Sequence, residues 1–144
     1  PYKNTPFFKL NLISEEFATQ EDLEINGKLA NYKGNEIYPI NKNRTFSALK
    51  ELIYKLHDSD IDVIIFTTPH LKTWLSNLPE QQKQIFNSML DNLEKEFNFK
   101  IFKLHDKYDS LDIWQDHDHL VANNKKTDFY SEEIARMLLT KIDK

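Results

Sequence analysis

Ile61-Asp62-Val63-Ile64-Ile65-Phe66-Thr67, stopped by Thr68-Pro69-His70, is the stretch on which the fold turns. Its apolar run is rich in β-branched residues, the pattern of a strand covered on both faces. Just before it, Phe46, Leu49, Leu52, Ile53 and Leu56 recur at helical spacing. They predict an amphipathic helix over 45–58, ended by Asp58-Ser59-Asp60. After it, Pro79 suits the first turn of a helix and Glu80 suits the positive end of its dipole. Ile85, Phe86, Met89, Leu90, Leu93 and Phe97 then mark one face of that helix. Phe99 to Leu104 reads as a second short strand, and residues 105–128 as a polar, irregular stretch. Ser131 can cap a last helix with Ile134, Ala135, Leu138, Leu139 and Ile142 on its face.

Helix–strand–helix–strand–helix is the grammar of a parallel sheet with right-handed crossovers. The expected fold class is therefore α/β, a three-layer sandwich with a mainly parallel sheet and flanking helices. The chain suits a single domain over 1–144, with 1–44 the less regular part. There, Phe8, Leu10 and Leu12 alternate with Lys9 and Asn11 as one strand would. Thr19 or Ser14 could cap a short helix before Asn26-Gly27, and Asn31 to Asn43 has the composition of a loop.

Composition narrows the function classes. The 144 residues suffice for a real core. A formal charge of −4 argues against a general nucleic-acid surface, which needs clustered Lys and Arg. There is no cysteine, hence no disulfide, thiolate zinc site or cysteine nucleophile. Gly27 and Gly34 are the only glycines, too few for a P-loop or a dinucleotide fingerprint. Arg44 and Arg136 are the only arginines, so bidentate capture of phosphate or carboxylate has few candidates. The apolar run Val63–Phe66 is far too short to span a membrane, so no membrane contact is expected of this segment.

Four of the five histidines, His70, His105, His117 and His119, fall in the loops after the two expected strands. Such loops collect functional groups in open parallel sheets. His57 sits at the end of a helix, where a cation is favourable. The densest cluster is Trp114-Gln115-Asp116-His117-Asp118-His119-Leu120. Three residues of separation in a turn let Asp116 fold back onto the ring of His119, while His117 and Asp118 should point elsewhere. The same residues also suit a polar loop with a capping Asp and a solvated His. A metal set of Asp116, His117, Asp118 and His119, with His70 or His105, lacks a further ligand at diagnostic spacing, so no metal is expected. Trp74 and Trp114 read as packing residues.

Asp116-x-x-His119-Leu120, followed by a short irregular stretch and a closing amphipathic helix, resembles the C-terminal half of SGNH/GDSL-type hydrolases. Val63 to His70 resembles the strand-and-proline segment that precedes the motif in that family. The likeness covers roughly residues 45–142 and is nearest to the branch that includes acyltransferases of cell-envelope polymers. It implies an esterase or O-acyltransferase working through a serine acyl-enzyme. His119 would be the general base, Asp116 its orienting carboxylate, and His70 and His117 would line the substrate site. It implies no cofactor and a small-molecule or polymer-borne ester as substrate; it leaves the compartment open, an extracytoplasmic place in a longer anchored protein being one option. No serine here follows a glycine, and the family's Gly-x-Asn-Asp segment has only Gly34-Asn35-Glu36 in its place. The nucleophile is therefore expected outside this chain. A sheet lacking its nucleophile strand would leave an apolar edge, from which a homodimer is expected. The rival expectation is a non-catalytic α/β binding or scaffolding module.

Overall fold

The computed structural model describes residues 17–29, 36–116, 118–121 and 124–142. Within them lie five α-helices: α1 (Gln20–Leu29), α2 (Arg44–Asp58), α3 (Lys72–Asn77), α4 (Glu80–Phe97) and α5 (Asp128–Ile142). Short 3-10 turns at Ile40–Lys42 and Lys125–Thr127 lead into α2 and α5. The strand expected over Phe8–Leu12, the cap at Ser14 and the Gly34-Asn35 pair lie outside the described residues.

No sheet forms among the described residues, so the three-layer α/β sandwich expected from the element order is not the architecture. The two expected strands are extended and run parallel, but they meet in one isolated bridge, Phe66 with Phe102. Phe102 N–H donates to the Ile65 carbonyl and Thr67 N–H to the Phe102 carbonyl, both at 3.0 Å. The next rung would send Leu104 N–H to the Thr67 carbonyl. Instead, the Thr67 hydroxyl oxygen accepts from Leu104 N–H at 2.8 Å and from His105 N–H at 3.0 Å. The Thr67 side chain thus captures the amide that would extend the ladder beyond Phe102. Ile101 N–H, which faces away from the 61–67 segment, is taken by the Glu94 carboxylate at 2.8 Å.

The run Ile61–Thr67 is also not covered on both faces. Val63 and Ile65 pack against the core, whereas Ile61 is 50% and Phe66 39% exposed. Without a sheet among the described residues, the sheet edge on which a homodimer was expected is absent as well.

The helices follow local chemistry more closely. Asn43 caps α2, its side-chain oxygen accepting from Phe46 N–H at 2.9 Å. The far end closes as a Schellman motif, with Ile61 N–H on the Leu56 carbonyl and Asp60 N–H on that of His57, both at 2.9 Å. Asp60 takes the left-handed position there at φ 58°, and Asn98 does the same after α4 at φ 51°. Both residue types tolerate that region better than most. Thr19 begins α1 through a reciprocal cap with Asp22: its hydroxyl accepts Asp22 N–H at 3.1 Å, and the Asp22 carboxylate accepts Thr19 N–H at 3.3 Å. The helix then continues past Asn26-Gly27 to Leu29.

Three expectations shift. α5 starts at Asp128, not at Ser131, because Asn124 and Thr127 build a 3-10 turn ahead of it. Asn124 accepts Lys126 N–H, and the buried Thr127 hydroxyl lies 2.8 Å from the carbonyls of Val121 and Asn124. The apolar stripes are narrower than their spacing implied. In α2, Phe46 and Ile53 are buried while Leu49 and Leu52 are exposed; in α5, Met137 is buried while Leu138 and Leu139 are exposed. Lastly, α3 forms where only a loop was expected, and α1 packs on it.

Two hydrophobic clusters hold these elements. The first joins α2 and α4 through Phe46, Ile53, Leu90, Leu93 and Phe97, with Ile101 from the extended segment. The second gathers Leu23, Leu71, Tyr108, Ile113 and Trp114, with Leu120, Phe129 and Tyr130 packed against it. The second cluster is the floor of the loop that carries Asp116 and His119.

Candidate functional site

The loop 115–119 is tied at its base by the chain on either side. Trp114, 1% exposed, pairs with Leu120 in an antiparallel bridge. Val121 N–H donates to the Ile113 carbonyl at 3.0 Å, and Gln115 N–H to that of His119 at 2.9 Å. Ala18 N–H reaches across to the Trp114 carbonyl at 2.9 Å, so the entry to α1 braces the same base. Leu120 packs on the second core cluster, as an anchor for the loop should.

Inside the loop, Asp116 organises everything near it. Its Oδ1 accepts the backbone N–H of Asp118 at 3.0 Å and of His119 at 2.8 Å. This turn-forming use of an Asp side chain curls the backbone back on itself. The curl delivers the imidazole: His119 Nδ1 lies 2.9 Å from each Asp116 carboxylate oxygen. The contact expected from the Asp-x-x-His spacing is therefore present. Nε2 takes part in none of these contacts, and the ring is 68% exposed.

Asp118 departs from the expectation that it points away. Its Oδ1 stands 3.0 Å from the same Nδ1. The signal was in the sequence, because an Asp-started turn that brings residue i+3 back also brings i+2 close.

The electrostatics follow from these contacts. Partial burial pushes the Asp116 carboxyl up, but the Asp118 N–H and the His119 ring outweigh it, and the pKa settles at about 2. The hydrogen bond that its ring donates to Asp116 raises the His119 pKa above the ordinary histidine value. Slight burial opposes the rise, and the charges of Asp116 and Asp118 add to it. A carboxylate on Nδ1 fixes that nitrogen as the proton carrier, which leaves Nε2 as the lone-pair side of the neutral ring.

Of the other expected site residues, His117 lies outside the described residues. His70 stacks its ring on Trp74 at 4.5 Å between ring centroids, and its backbone N–H donates to the His105 carbonyl at 3.0 Å. His105 Nδ1 sits 3.2 Å from the Thr67 hydroxyl, which is already accepting two amides, so the hydroxyl proton goes to the ring. Its ring stands edge-on to Phe86. These two histidines knit the 61–70 and 99–105 segments together.

Among the described residues, one group could supply three metal-ligating atoms within 4.8 Å of one another: Asp116, Asp118 and His119. Neither His70 nor His105 joins it. The group is open to solvent. No described serine serves this histidine. Ser47, Ser59 and Ser88 donate to backbone carbonyls one turn back, and Ser110 to Asp109.

No helix among the described residues is long and apolar enough to cross a membrane. No family model, no curated protein and no solved structure matches the chain.

Proposed function

We propose that Asp116 and His119 form the acid–base pair of an ester-processing reaction of the SGNH type, hydrolysis or O-acyl transfer through a serine acyl-enzyme. The observation that carries this reading is the double contact of Asp116 with Nδ1, made by a carboxylate that two backbone amides hold in place. An imidazole oriented in this way can take a hydroxyl proton on Nε2 and return it to a leaving group, while Asp116 stabilises the imidazolium between the two steps. The exposed ring leaves room for a nucleophile and a substrate to approach. That nucleophile would be a serine beyond these residues, and the ester would be a small molecule or a group carried on a polymer. His70 and His117 remain candidates for lining such a substrate.

One observation favours the rival reading, a non-catalytic binding or scaffolding module: none of the described serines bonds to His119. A single experiment separates them. Expressed from its native locus, the polypeptide carrying these residues should react with a fluorophosphonate probe at a serine. His119→Ala should slow that labelling by about 100-fold or more. No labelling, or labelling at an unchanged rate in the variant, would leave the binding module as the better reading.

A further inference from the structure

His119 Nδ1 can hold one proton, yet three carboxylate oxygens lie within 3.0 Å of it, two from Asp116 and one from Asp118. An acid–base pair needs one such partner. The two carboxylates are not equivalent. Asp116 is committed, because its Oδ1 also holds two backbone amides of the loop. The Asp118 contact to the ring is a second negative charge added to a histidine that is already oriented.

We infer that Asp118 is a positioning residue of this pair: its carboxylate sets a second negative charge beside the Nδ1–H that Asp116 holds, and so meters how often His119 is available as a base. The inference rests on the acid–base reading given above and assigns it a regulator.

The physical argument is electrostatic. A single carboxylate at Nδ1 orients the ring and favours imidazolium moderately, leaving a useful fraction of free base near neutral pH. A second carboxylate at the same distance favours imidazolium further, which makes the ring a readier acid and a scarcer base. Asp116 and Asp118 are the charged side chains acting on this ring among the described residues. The backbone contacts to His119 from across the loop are made to its carbonyl by Gln115 N–H and Asp116 N–H. Because the ring is open to water, mobile ions can reach both charges and weaken their hold. Neutralising Asp118, by substitution or by a cation drawn to it, would release the ring toward its free-base form without disturbing the orientation that Asp116 imposes.

The test is a side-chain NMR titration of His119 in the whole chain, compared with Asp118→Asn and Asp116→Asn. Asp118→Asn should lower the His119 midpoint by about 0.5–1 pH unit, and the neutral ring should keep its proton on Nδ1. Asp116→Asn should lower the midpoint as well, and the preference for Nδ1 should be lost. A measurement on the unsubstituted chain guards against a variant that does not fold: raising salt to about 1 M should lower the midpoint there too. A midpoint unmoved by Asp118→Asn, or one unaffected by salt in the unsubstituted chain, overturns the inference. The titration reports on the ring alone, so it stands or falls separately from fluorophosphonate labelling, which tests the catalytic reading.

Discussion

Both oxygens of the Asp116 carboxylate lie 2.9 Å from Nδ1 of His119, and the same carboxylate accepts the backbone N–H of His119 at 2.8 Å. One side chain therefore shapes the turn and orients the base. The two roles cannot be removed independently at this position, and that coupling has consequences for pH and for mutation.

The first consequence is an acid limit. The Asp116 pKa is held at about 2, against an ordinary value of 3.8. A lowered carboxylate stabilises the fold above its unfolded pKa, and that stability is lost as pH falls through the folded value. The window is therefore pH 4 down to about 2. Allowing for solvent screening at a side chain one-third exposed, the loss should be about 1 kcal/mol. His119 acts in the opposite sense: its raised pKa contributes stability at low pH that fades as pH climbs through the folded value. Urea melts of the parent and Asp116→Asn should differ at pH 5, and the difference should shrink by more than half at pH 2.5.

Thr67 should matter more than its partial exposure suggests. Its hydroxyl oxygen accepts two amides and its proton reaches His105. Thr67→Val keeps the shape but strands both N–H donors, at a cost of about 2–3 kcal/mol in urea unfolding. Thr67→Ser should recover most of it. An unfolding midpoint unchanged in the valine variant would show that water replaces the hydroxyl freely.

Adjacent positions on α2 should part company. Ile53 is 1% exposed and Leu52 53%. Ile53→Ala should cost about 2–5 kcal/mol, whereas Leu52→Ala should stay within about 0.5 kcal/mol. Equal losses at the two sites would mean that Leu52 is covered in solution, by another copy or by another part of the chain.

The chain by itself should not turn over small acyl esters above a buffer control. His119 without a serine beside it offers only weak general-base help, a small part of what a complete site supplies. Measurable turnover that disappears in His119→Ala would place a working nucleophile within these residues. Turnover that survives the substitution would point to another site.

What the sequence determined by itself is the part of the molecule governed by neighbours in the chain. The spacing of Phe46, Ile53 and Leu56 and of Leu90, Leu93 and Phe97 located α2 and α4, because a helix satisfies its own amides within four residues. Asp116 and His119 were legible together for the same reason: an Asp side chain closes a turn on the residues that follow it. What the tertiary structure alone decided is where the remaining amides and apolar faces find partners. Phe66 and Phe102 are 36 residues apart, and nothing in either segment announces that Thr67 Oγ1 will take the Leu104 N–H that a longer ladder requires. A β-branched run states a preference for extended backbone, whereas a sheet needs free donors and acceptors on a neighbour. Likewise, the spacing of Leu49, Leu138 and Leu139 marks a helix face, but burial depends on what is packed against that face, and the described residues leave all three open to solvent.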